Sequence, residues 1–111
     1  MFWSEKQYDT ISIKDAEERL KKETGILLLD VRTPQEYRDG HIPGSINLPL
    51  SEVQNIEKIA PKMDIPMFVY CYSGARSGQA CRYFARVGYG AVTNIGGIAS
   101  WTGKVEMGKG K

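Results

Sequence analysis

The chain has 111 residues, enough for one domain with a core of its own and too few for two. An apolar share of 41% and a charged share of 25% exclude a disordered or fibrous chain. A formal charge of +2, with lysines and arginines scattered among acidic residues, excludes the concentrated basic face that nucleic acid requires.

The first predicted strand is Thr10-Ile11-Ser12-Ile13, at a sheet edge. Ser12 with Asp15 predicts a cap for a helix over Lys14 to Lys22, ended by Thr24-Gly25. Ile26 to Leu29 is a continuous apolar run, the pattern of a parallel strand covered on both faces. Thr33-Pro34-Gln35-Glu36 supplies an N-cap, a proline in the first turn and a capping-box glutamate for a short helix to Arg38 or Asp39, stopped by Gly40. His41 to Gly44 reads as a turn into a short strand, Ser45 to Leu48. Ser51 and Gln54 predict a second capping box, for a helix to about Ile59, and Pro61 closes it.

A strand over Met67 to Tyr70 leads to a cysteine loop, and Ala80, Cys81, Phe84 and Val87 then recur at helical spacing within a helix over Ser77 to Val87. Gly88 ends that helix, Ala91 to Ile95 is the last strand, and Gly96-Gly97 precede a short turn carrying Trp101. This alternation predicts one α/β domain over residues 1–111. Its sheet is open, largely parallel and of about five strands, with helices on both faces. The basic, glycine-rich stretch from about residue 104 reads as a flexible tail.

Met1 to Lys6 is mixed in character, without the sustained apolar run of a signal peptide, and no stretch reads as a membrane span. Cys71 and Cys81 match neither a C-x-x-C motif nor a zinc spacing, and one histidine cannot complete a metal site. If Cys71 opens a helix, Cys81 lies about three turns along it, beyond disulfide reach. Reduced thiols without an export signal lead to the expectation of a cytoplasmic protein.

The most informative stretch is Tyr70-Cys71-Tyr72-Ser73-Gly74-Ala75-Arg76-Ser77. It sets a thiol at the carboxyl end of a buried strand and at the amino end of a helix. Unpaired N–H groups and the positive end of the helix dipole gather there. Such a setting lowers a cysteine pKa, and Gly74 allows a backbone shape in which successive N–H groups point at one anion. The plainer reading is a buried structural cysteine that happens to end a strand. In parallel sheets, however, ligands bind beyond the carboxyl ends of the strands. Asp30-Val31-Arg32, Cys71 to Arg76 and Gly96-Gly97 all fall at such ends, which predicts a single crevice.

The chain resembles the single-domain rhodanese-like sulfurtransferases. The resemblance rests on Asp30-Val31-Arg32, Glu36-Tyr37, Gly40 to Ser45, Asn47, the loop Cys71 to Ser77, and Gly96-Gly97 followed by Trp101, in the family's order. It implies that Cys71 takes the outer sulfur of a small anionic donor such as thiosulfate, holds it as a persulfide, and passes it to a cyanide or thiol acceptor. A protein sulfur acceptor is also compatible with it. It further implies no metal or organic cofactor, and a persulfide stabilised by N–H groups from Tyr72, Ser73, Gly74 and Ala75 to Arg76.

Arg76 has two readings: a guanidinium that attracts the donor and stabilises the leaving group, or a helix-start arginine turned to solvent. Ser73 and Ser77 either offer hydroxyls to the persulfide or, for Ser77, serve the helix start. Arg32 and Glu36, four apart, predict an ion pair fixing their loop, and Asp30 either lines the pocket or accepts loop hydrogen bonds. His41 reads as structural, Cys81 as core, and Tyr37 and Trp101 as packing residues. A rival is a cysteine-dependent phosphatase or arsenate reductase on the same fold. Those relatives carry one residue more between cysteine and arginine, whereas four separate Cys71 from Arg76. A further alternative is a non-catalytic persulfide carrier or regulatory module.

Overall fold

Strand-forming runs and capped helices alternate along the chain and assemble, in a computed structural model that describes residues 8–108, into one open parallel sheet. The elements are β1 (Asp9–Thr10), α1 (Ile13–Lys22), β2 (Leu27–Asp30), α2 (Pro34–Asp39), β3 (Ile46–Asn47), α3 (Ile56–Ile59), β4 (Met67–Cys71), α4 (Ala75–Arg86) and β5 (Val92–Gly97). Short 3-10 turns cover Leu50–Asn55 and Ile98–Ser100. The strand order is β1-β5-β4-β2-β3, and every pairing is parallel. β4 is central and buried along its whole length, which explains its unbroken apolar run.

Side chains alternate across this sheet and build a core on each face. Leu29, Val69, Cys71, Ala80, Cys81 and Phe84 pack on the α4 side, while Leu28, Phe68, Tyr70, Ile95, Ile13 and Ala16 pack on the α1 side. The expected architecture of about five strands with helices on both faces is therefore present. Among the described residues no helix is long and apolar enough to cross a membrane. The reading of Met1 to Lys6 lies outside the described residues.

Helix starts follow local chemistry. The Ser12 hydroxyl accepts from the Asp15 N–H, and Thr33 and Glu36 form the complete capping box that opens α2. The box expected from Ser51 and Gln54 does not form. Leu48 N–H and Leu50 N–H donate to the carbonyls of Asp30 and Val31, so the chain stays bound along the end of β2 as far as Leu50. The turn that follows has no side-chain cap and a non-helical Glu52, and only four residues become α3.

Two further differences bear on the site. Helix α4 begins at Ala75 rather than Ser77. Strand β5 runs to Gly97 instead of stopping at Ile95, and Ile95 is an extra residue opposite the step from Val69 to Tyr70, which shifts the register so that Gly97 lies beside Cys71. Two described residues beyond residue 104 bond to the loop around α2. Glu106 and His41 exchange backbone hydrogen bonds of 2.8 Å each, and Gly108 N–H donates to the Arg38 carbonyl at 2.8 Å.

Candidate functional site

Cys71 ends β4 with only 1% of its surface exposed. Gly74, at φ +108°, turns the chain back beneath it, a conformation that side-chain-bearing residues rarely adopt. The Gly74 N–H then donates to Cys71 Sγ at 3.0 Å, and the Ser77 hydroxyl lies 3.4 Å from the same sulfur. Burial pushes the thiol up. The Ser77 hydroxyl and the N–H groups of Ser77, Gly74 and Ser73 together outweigh it, so the Cys71 pKa lies below the ordinary thiol value.

The Ser77 hydroxyl has one proton and three oxygens to serve besides the sulfur: Asn94 Oδ1 at 2.8 Å, the Gly74 carbonyl at 3.1 Å and the Gly96 carbonyl at 3.4 Å. A charged sulfur draws that proton more strongly than a neutral one. Ser77→Ala is therefore expected to raise the pH midpoint for alkylation of Cys71 by iodoacetamide. Only the deprotonated sulfur reacts, so the rate climbs with pH through the pKa, and losing a donor moves that climb upward. An unchanged midpoint would assign the lowering to the N–H groups alone. Cys81 does not interfere, since burial pushes its thiol up to about 12.

The loop is held against β5. Asn94 is the hub: its Nδ2 donates to the Gly74 carbonyl at 3.2 Å, and its Oδ1 accepts from Gly96 N–H at 3.0 Å and from Ser77. Ala99 N–H donates to the Tyr72 carbonyl at 3.1 Å. A Cβ at Gly97 would overlap the Tyr72 carbonyl and stand 2.5 Å from Ser73 Cα. Gly97→Ala is thus expected to push the cysteine loop off β5 and to destabilise the fold by about 3 kcal/mol, read as a lower urea midpoint. A variant of wild-type stability would mean that the loop shifts freely. Asn94 was not anticipated from sequence; its signal was an amide between Thr93 and Ile95 in an otherwise buried strand, where polar groups need partners.

Arg76, in the first turn of α4, does not turn to solvent. Its Nη1 and Nη2 donate to the two carboxylate oxygens of Glu36 at 2.8 and 3.1 Å, and each side chain is 34% exposed. The Arg76 bond holds Glu36 at a pKa of about 2, well below the usual carboxylate range. Beside this pair opens a cavity of about 310 Å³ lined by Val31, Thr33, Pro49, Leu50, Ser51 and Arg76.

Residues 12–104 match the family described as Rhodanese-like domain. The chain belongs to that family. It is 41% identical over 92 residues to a sulfurtransferase of Allochromatium vinosum, covering 82% of this chain and 85% of that one. It is also 41% identical over 71 residues to the thiosulfate sulfurtransferase PspE of Escherichia coli, covering 63% of this chain and 68% of PspE. A solved structure of rhodanese with anions from E. coli superposes with a TM-score of 0.71 at 36% identity, over 75% of this chain and 99% of that one.

In this rhodanese-like domain, Tyr72, Ser73 and Ala75 form an exposed rim and Gly74 and Ser77 its floor. Asp30 belongs to a buried ion pair with Arg32. It is fully buried and accepts from Arg32 Nε at 3.1 Å, Nη2 at 2.7 Å and the backbone N–H at 2.9 Å. The expected Arg32–Glu36 pair is corrected accordingly. Arg32 precedes α2 and folds inward to Asp30 and the Gly40 carbonyl, while Glu36 faces α4. His41 stacks on Tyr37 at 3.7 Å between centroids, with Nδ1 2.7 Å from the Tyr37 carbonyl, an architectural placement. Cys81 is fully buried in the core, and both cysteines are free thiols.

Proposed function

We propose that the protein is a rhodanese-type enzyme that moves sulfane sulfur from thiosulfate to cyanide or a thiol through a Cys71 persulfide. The observation that carries this reading is the set of groups on Cys71 Sγ: N–H and O–H donors from Ser73, Gly74 and Ser77, which favour an anionic sulfur. The family membership and the sulfurtransferases among the relatives support it.

In the first step the Cys71 thiolate attacks the outer sulfur of thiosulfate. A new S–S bond forms, the old one breaks, and its electron pair leaves on sulfite. Three negative charges enter and three remain, one on the persulfide and two on sulfite, so no proton moves. In the second step cyanide or a thiolate attacks the outer sulfur and releases the Cys71 thiolate with thiocyanate or a new persulfide. Two displacements of this kind give ping-pong kinetics. Arg76 contributes a guanidinium, paired with Glu36, at the mouth; Tyr72, Ser73 and Ala75 form the rim that meets the substrates; and Asp30 acts by holding Arg32. A protein thiol reaching that rim is a second class of acceptor. Two free thiols suit a reducing compartment, and we assign the protein to the cytoplasm.

The test is to incubate the protein with thiosulfate and record its intact mass. The expected result is a gain of one sulfur atom per chain with release of sulfite, and its removal by cyanide as thiocyanate. Absence of the adduct, with turnover of p-nitrophenyl phosphate instead, would replace sulfur transfer by phosphatase chemistry.

A further inference from the structure

We infer that Glu36 is a specificity-determining residue: by pairing with Arg76 at the mouth of the cysteine loop, it selects against doubly charged donors in favour of singly charged ones. The inference rests on the sulfur-transfer reading for its substrates, but its physical basis is independent of that reading. An arginine beside an anion-binding loop would ordinarily present a full positive charge to an approaching anion. Here both ends of the guanidinium fork are engaged by one carboxylate. The pair is neutral as a unit, and the other residues lining the adjacent cavity, Val31, Thr33, Pro49, Leu50 and Ser51, are uncharged.

Glu36 cannot easily move aside. Its Oε1 also accepts from the Thr33 N–H at 3.0 Å and from the Thr33 hydroxyl at 3.1 Å, within the capping box that starts α2. An anion that claims Arg76 must therefore draw it away from an anchored carboxylate or lie beside that carboxylate. Both penalties grow with the charge of the anion. The Arg76 bond keeps Glu36 ionised throughout any practical assay range, so acidification gives no relief. At about 6 Å in a water-like medium, one unit charge changes an anion's binding about threefold per charge it carries. A dianion is then disfavoured about tenfold and a monoanion about threefold.

Glu36→Gln tests this while keeping an oxygen for the Thr33 N–H. Thiosulfate and methanethiosulfonate both present an outer sulfur on a sulfonyl sulfur, one as a dianion and the other as a monoanion. At low salt, the half-saturating concentration for sulfur loading of Cys71 is expected to fall about tenfold for thiosulfate and about threefold for methanethiosulfonate. The limiting rates should change less than about twofold. Alkylation of Cys71 provides a readout outside sulfur chemistry: the iodoacetate-to-iodoacetamide rate ratio is expected to rise about threefold. Equal shifts for the two donors, a weaker affinity for thiosulfate, or an unchanged alkylation ratio would each overturn the role of Glu36. If neither donor loads the native protein, sulfur transfer itself fails, and the alkylation ratio alone then decides whether Glu36 sets the field at Cys71.

Discussion

Cys71→Ser is expected to abolish sulfur loading from thiosulfate, with a loss of at least about a thousandfold in rate. The argument turns on the nucleophile's charge state. Donors from Ser73, Gly74 and Ser77 hold the Cys71 pKa below the ordinary thiol value despite burial, so a larger share of this sulfur is ionised than of an ordinary thiol at the same pH. A serine hydroxyl in the same ring stays protonated near neutrality, because the Gly74 N–H and the Ser77 hydroxyl that meet the sulfur are donors rather than bases. Cys81→Ser should still load, because that thiol is fully buried in the core and pushed up to about 12. Its hydroxyl would lower stability instead. Intact mass after thiosulfate treatment separates the two variants, and an adduct persisting in Cys71→Ser would remove Cys71 from its assigned role.

Arg32→Met is expected to cost about 3–5 kcal/mol of stability, a large part of what holds a domain of this size together. Asp30 is fully buried at the end of β2, and the Arg32 guanidinium supplies its counter-charge. Burial works against the charge on Arg32, and the Asp30 carboxylate more than restores it. The same guanidinium donates to the Gly40 carbonyl at 2.6 Å, and Asn47 Nδ2 bonds the carbonyls of both Asp30 and Arg32 at 3.0 Å. Truncation would leave a buried carboxylate with one remaining Arg32 partner, its backbone N–H. Combining Arg32→Met with Asp30→Asn should recover part of the loss, because a neutral amide needs no counter-ion. Urea unfolding of the three proteins checks this. A single variant costing less than about 1 kcal/mol would show that water or a neighbour supports Asp30 instead.

Short-range chemistry was legible in the residues, and the contested points were those that needed a distant partner. The Ser12 cap and the Thr33–Glu36 box were both visible, because each spans three residues and depends on little else. The Ser51–Gln54 box had the same signature and failed, since the neighbouring backbone was already bonded to the end of β2. Arg32 and Glu36 have the spacing of a helical pair, but Pro34 starts the helix between them and sends the two side chains to different partners.

From the sequence by itself came the parallel α/β class, the thiol at a strand end and helix start, and the gathering of three strand-end segments. Each follows from periodicity over a few residues and from the right-handed, parallel logic of such sheets. Only the tertiary structure decided which charges meet and how closely backbones approach. The order β1-β5-β4-β2-β3 places the end of β4 between those of β2 and β5. That brings Glu36 to Arg76 across forty residues and Asn94 to Ser77 across seventeen. It also presses Gly97 against Tyr72. Such contacts depend on strand order and register, which no local pattern of residues encodes.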